Sequence, residues 1–144
     1  MKRLLVDPER CTGCGGCAAA CARVLGGASC IRPAVRPGRV ELPSVCRHCA
    51  EPACARACPT GAMAPGREGA AVRLAGRCVG CGSCILACPF GALGDALPDG
   101  AAVKCDLCVA RTARGLAPAC VATCTSGARS LAEAGPEADP YRTG

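Results

Sequence analysis

Apolar positions along the chain fall in short runs, and none lengthens into a core-forming element. Leu4, Leu5 and Val6 make the first, so Arg3–Val6 reads as a short strand leading into a cysteine-rich loop. Residues 62–74 read as a hairpin, with Pro65-Gly66 as its turn chemistry. Elsewhere the recurring spacing is i, i+4 between cysteines, which places both on one face of a helical turn. Short helices are predicted over about 15–21, 52–57, 82–87 and 117–123. Residues 26–45, rich in Gly, Pro and Arg, read as a connecting loop, and 132–144 as a tail that is disordered alone and can dock on a partner.

No apolar run approaches transmembrane length, so direct membrane insertion is not expected. The opening Met-Lys-Arg-Leu-Leu-Val-Asp-Pro leaves no room for a secretory apolar segment. A cytoplasmic location is expected, with export attached to a signal-bearing partner left open. In a reducing compartment disulfides do not persist.

Composition sharpens the problem of the core. Ala and Cys supply 46 of the residues behind the 51% hydrophobic figure, whereas Leu, Ile, Val and Phe together make only 17% of the 144 residues. That share lies below the roughly 20% at which a chain struggles to build a core. Something bound to the 17 cysteines has to replace it.

Sixteen of them fall into four groups: Cys11, Cys14, Cys17, Cys21; Cys46, Cys49, Cys54, Cys58; Cys78, Cys81, Cys84, Cys88; and Cys105, Cys108, Cys120, Cys124. Each opens with C-x2-C and closes with C-x3-C, an internal repeat. A second repeat follows three closing cysteines: CPTGAM at 58–63, CPFGAL at 88–93 and CTSGAR at 124–129. The third group is the bacterial ferredoxin run C-x2-C-x2-C-x3-C-P, a direct match to the known spacing. Three thiolates within seven residues must reach three corners of one cubane, so the backbone curls. Gly13, Gly15, Gly16, Gly80 and Gly82 suit that curl. Curled amides can then point at cluster sulfurs. The fourth cysteine lies a helical turn further on and ligates the other cluster of a pair, with Pro59 or Pro89 ending the turn. Zinc is the competing reading, since two C-x2-C knuckles can hold one ion; the fourth group alone suits it best.

The segments CRHCAEPACARACPTGA (46–62), CVGCGSCILACPFGA (78–92) and KCDLC…GLAPACVATC (104–124) resemble the iron–sulfur electron-transfer subunits that carry four [4Fe-4S] clusters. Such subunits serve molybdenum or tungsten oxidoreductases, formate dehydrogenases, some hydrogenases and carbon monoxide dehydrogenase. The resemblance covers roughly residues 3–131. It implies that the second and third groups exchange closing cysteines, as do the first and fourth. The inner pair would then be Cys46, Cys49, Cys54 with Cys88, and Cys78, Cys81, Cys84 with Cys58. The outer pair would be Cys11, Cys14, Cys17 with Cys124, and Cys105, Cys108, Cys120 with Cys21. Ala22 and Thr125 depart from the proline that often follows the closing cysteine. The implied fold is α+β and ferredoxin-like, with two pseudo-symmetric two-cluster lobes, short helices and small β-hairpins. One domain, 1–131, would hold an inner lobe at about 46–93 and an outer lobe at about 3–25 plus 100–131.

The formal charge of +6 does not imply nucleic acid. An oxidised cluster with four thiolates carries about −2, so four bring the holoprotein to about −2, and about −6 when all are reduced. With Phe90 and Tyr141 the only aromatics, base stacking has no platform. The fifteen Arg and two Lys interleave with the cluster loops and can offset buried negative charge. Arg32, Arg36 and Arg39 read as a solvated loop, or else as a docking surface. His48 reads as a bystander that hydrogen-bonds or packs, or else as a tuning residue. Cys30, outside the groups, reads as a small, partly buried structural residue, or else as a reactive thiol or spare ligand.

No Ser-His-Asp set, phosphate loop or carboxylate pair appears, so the chain is expected to carry electrons rather than catalyse. Low-potential clusters of this type work at about −400 mV, within a wide possible range. The expected partners are a catalytic redox subunit and a protein acceptor or donor, and self-stacking into an array, as in the small subunit of some tungsten aldehyde oxidoreductases, stays open. The other readings are a free soluble polyferredoxin and a zinc-stabilised interaction module.

Overall fold

The computed structural model describes residues 1–32, 42–66, 69–94 and 97–135. The elements are short and nested about the middle of the chain. Strand β1 (Lys2–Val6) pairs antiparallel with β4 (Arg129–Glu133), Leu4 opposite Leu131 and Val6 opposite Arg129. The segments flanking the first and last cysteine groups therefore close on each other. Inside that frame, β2 (Met63–Pro65) and β3 (Ala71–Arg73) form the hairpin expected between the second and third groups.

Among the described residues, five short α-helices lie in or directly beside the cysteine groups, and all but α4 hold a cysteine: α1 (Gly16–Val24), α2 (Ala53–Arg56), α3 (Ser83–Ala87), α4 (Val109–Thr112) and α5 (Ala119–Ala122). Four of these occupy the predicted places. Helix α1 runs past Cys21 to Val24 because Ala22, unlike a proline, keeps its N–H and continues the turn. Helices α2 and α3 stop at Arg56 and Ala87, ahead of Pro59 and Pro89. Helix α1 packs on α5 and α2 on α3, joining the first group to the fourth and the second to the third.

Among the described residues, buried side chains form two small clusters instead of one core. The first gathers Leu4, Cys21, Cys30, Ile31, Val103, Cys105, Leu107 and Cys120 with Ala70, and the second Cys54, Met63, Cys84, Leu93 and Ala102. In each, cysteine contributes sulfur where an ordinary domain would place Leu or Phe. The connecting loop is pinned by a bridge between Arg32 and Ser44, the Ser44 N–H donating to the Arg32 carbonyl at 2.7 Å. Arg36 and Arg39 lie outside the described residues, as does the tail from 136. Strand β4 reaches two residues into the segment read as that tail. Among the described residues, no helix is long and apolar enough to cross a membrane.

Candidate metal centres

The backbone around each group bends in one shared way. The residue before the second cysteine is left-handed in all four groups: Gly13 at φ 71°, His48 at 47°, Gly80 at 71° and Leu107 at 60°. Glycine fills this position without strain, whereas His48 and Leu107 hold it at a cost of about 1–2 kcal/mol each. A non-glycine residue persists there only if the surroundings demand the curl.

The repeat after the closing cysteine has a local purpose. Gly61, Gly91 and Gly127, each three residues after a cysteine, are left-handed and donate N–H to that cysteine's carbonyl at 3.4, 3.2 and 3.1 Å. The tight turn swings the next amide back onto the thiol. Ala62 N–H donates to Cys58 Sγ at 3.2 Å and Ala92 N–H to Cys88 Sγ at 3.5 Å. Backbone N–H groups, that of Met63 foremost, hold the Cys58 thiol down to about 7, favouring the thiolate that binds metal. Burial raises the Cys124 thiol, but Ser126 and the Arg129 and Ala128 amides outweigh it and leave it lowered.

Three cavities gather cysteines from different groups. One of about 500 Å³ is lined by Cys46, Cys49, Cys54 and Cys88, with His48 and Lys104 in its wall. A second is lined by Cys58, Cys78, Cys81 and Cys84. A third is lined by Cys11, Cys14, Cys17 and Cys124, beside Arg129. Cys21, Cys105 and Cys120 converge in the first buried cluster, with Cys108 close enough to act on Cys120. Burial, then the Cys105, Cys108 and Cys21 sulfurs, push the Cys120 thiol up to about 12 against the pull of Arg129. Among the described residues, no three His, Cys, Asp or Glu side chains close on a space the size of one ion. Each of the three cavities instead brings four cysteines from two groups around one shared space, the donor set of a multi-iron core.

Charge gives a second test of fit. Arg3, His48, Lys104 and Arg129 are buried, although charged side chains are rarely so without a partner. Nε and Nη1 of Arg3 and all three guanidinium nitrogens of Arg129 have no hydrogen-bond partner. Nor does either His48 ring nitrogen meet hydrogen-bond geometry. Yet the Cys105 and Cys46 sulfurs beside it raise the imidazole to about 9, against the burial that would lower it. Lys104 Nζ donates to Cys46 Sγ at 3.1 Å. Burial raises Cys46, but His48 and Lys104 outweigh it and bring the thiol down to about 7. Buried cations gathered on thiols mark places built for negative charge, which a thiolate-ligated cluster supplies. Donor set and charge both fit [4Fe-4S].

Cys30 is more buried than expected, at 2% exposure, with its Sγ 3.3 Å from Cys21 Sγ. The sequence pointed to basic residues offsetting cluster charge without saying which. Only burial singles out Arg3, Lys104, Arg129 and His48.

Comparison with known proteins supplies the relatives. The family model for 4Fe-4S dicluster domains matches residues 39–134, and one for 4Fe-4S binding domains matches 4–27. The chain is 35% identical to a tetrathionate reductase subunit of Salmonella typhimurium, over 90% of this chain and 57% of that protein. It is 34% identical to the probable anaerobic dimethyl sulfoxide reductase chain YnfG of Escherichia coli, over 83% of this chain and 67% of that protein. The formate dehydrogenase iron-sulfur subunit of Haemophilus influenzae is 44% identical over 58% of this chain and 27% of that protein. The chain thus spans between about a quarter and two thirds of these relatives' length.

Proposed function

Because the chain belongs to the 4Fe-4S dicluster domain family, we propose that it is the electron-transfer subunit of an oxidoreductase complex, with four [4Fe-4S] clusters in two pseudo-symmetric pairs. The domain is 1–131, with the inner lobe at about 46–93, the outer at about 3–25 plus 100–131, and a tail from 132. One observation carries the reading: three cavities each combine three cysteines of one group with the closing cysteine of another. The inner ligands are Cys46, Cys49, Cys54, Cys88 and Cys58, Cys78, Cys81, Cys84. The outer ligands are Cys11, Cys14, Cys17, Cys124 and Cys21, Cys105, Cys108, Cys120.

A bound cluster supplies one-electron chemistry at low potential. The chain's own residues do the rest. Thiolates from two groups hold each site, so the short helices α2 and α3 tie the inner sites together and α1 and α5 the outer ones. Amides of Ala62 and Ala92 and the buried cations lower the cost of added negative charge. Val79 and Leu86, 66% and 90% exposed, flank the Cys78–Cys84 ligands and give a partner apolar surface there. Catalysis is assigned to that partner, a molybdenum or tungsten subunit. The relatives' names, reductases of tetrathionate and dimethyl sulfoxide and a formate dehydrogenase, support a partner of this class.

Exchange of closing cysteines is tested by Cys88→Ala. Its lost electron paramagnetic resonance signal should match the one lost in Cys49→Ala and differ from that lost in Cys81→Ala; a match to Cys81→Ala refutes the ligand sets. Anaerobic purification at native stoichiometry tests the partner. Co-elution with a pterin-bound metal subunit is expected, and a chain eluting alone with its clusters is a free polyferredoxin.

A further inference from the structure

Arg3 and Arg129 lie in the β1–β4 frame, but Lys104 and His48 stand between the two halves of the molecule. Lys104 Nζ donates to Cys46 Sγ at 3.1 Å and to the Cys105 carbonyl at 3.0 Å. Cys46 belongs to a proposed inner quartet and Cys105 to a proposed outer one. One ammonium therefore grips the ligand loops of two clusters in different pairs. His48, 1% exposed, lines the Cys46 cavity and lies against the sulfurs of both Cys46 and Cys105. Its left-handed backbone is held at φ 47°, where glycine stands in the first and third groups.

These two positions matter because they lie where the pairs meet, Cys46 packing against the buried cluster that contains Cys105. Within a pair, exchanged closing cysteines bring two clusters to opposite ends of one short helix. Between pairs there is no shared ligand helix, so the crossing is a gap bridged by side-chain contacts. A side chain bonded to a sulfur on one side and to a ligand's own peptide on the other shortens that gap through bonded contacts. A buried positive charge also favours an added electron on either side, and it acts strongly where water does not screen it.

We propose that Lys104, with the buried His48 ring packed beside it, bridges the inner and outer pairs and joins them into a single conductor. With clusters bound, Lys104 would stand between the Cys46-ligated and Cys105-ligated cores, where passage of a single electron would oxidise one and reduce the other with no proton exchanged. The inference rests on the ligand sets proposed above. Both residues are positioning residues in this role, and neither is a ligand.

The test is a redox titration of the cluster-loaded chain, monitored by electron paramagnetic resonance, with iron and sulfide counted first. A wild-type chain without iron would defeat the functional reading itself, so the two failures are distinguishable. Lys104→Met should keep full iron while two of the four midpoint potentials fall and two stay in place. Lys104→Arg, which keeps the charge, should restore both. Should Lys104→Met lose iron, Lys104→Gln, which keeps a hydrogen-bond donor without the charge, carries the same test, with a fall at the same two clusters. Unchanged potentials at full iron content, a change confined to one cluster, or an equal change at all four overturns the bridge.

Discussion

Gly80 and Gly82 sit in the same cluster loop at nearly the same backbone angle, φ 71° and 74°, yet their surroundings differ. A Cβ on Gly82 would meet nothing within 4 Å, whereas one on Gly80 would stand 2.8 Å from the Asp99 carbonyl oxygen and 3.1 Å from the Gly100 Cα. Gly82→Ala therefore carries only the left-handed backbone cost, about 1–2 kcal/mol. Gly80→Ala carries that cost plus displacement of backbone that cannot rotate aside, and overpacking of this kind adds about 1–3 kcal/mol. For a chain of this size each kcal/mol lowers the melting temperature by about 2–4 °C. Cluster loss makes unfolding irreversible, so the assay is the rate of bleaching of the visible absorption at fixed temperature, without oxygen. Wild type should bleach slowest, Gly82→Ala faster and Gly80→Ala fastest. Equal rates for the two variants would refute the packing of the Asp99–Gly100 turn on the loop. A slower Gly80→Ala would refute the backbone argument as well.

Cys30→Ala removes a sulfur 3.3 Å from Cys21 Sγ. Cys21 as a ligand is a thiolate and cannot donate, so Cys30 supplies the S–H. The variant should keep its full iron content and lower the potential of one cluster; loss of a quarter of the iron would instead make Cys30 a ligand. Arg129→Met keeps side-chain bulk but removes a buried positive charge beside the Cys124 cavity and Cys120. Potentials of the outer pair should fall while those of the inner pair hold, and redox titration of the loaded variant reads both.

Much of the fold was legible because ligand spacing is itself a structural rule. C-x3-C demands a helical turn, and α2, α3 and α5 lie within the predicted spans. Helix α1 outran its span because the absent proline after Cys21 has a structural consequence as well as a family one. Strand β4 was not legible: Arg129–Glu133 has no distinct alternation, and its partner lies at the other end of the chain. The left-handed residue before each second cysteine was half visible. Glycine marks it in two groups, while His48 and Leu107 conceal it in the others. Lys104 and His48 carry no sign in the sequence that they are buried, because burial of a cation depends on thiols brought from elsewhere in the chain.

The central claim is that inorganic clusters fill the interior that apolar side chains do not. Anaerobic metal and acid-labile sulfide analysis of the purified chain tests it most directly. The account predicts about sixteen iron and about sixteen sulfide per chain, with a broad brown absorption that bleaches as the fold is lost. About four zinc, no sulfide and a colourless chain that still melts cooperatively would contradict it.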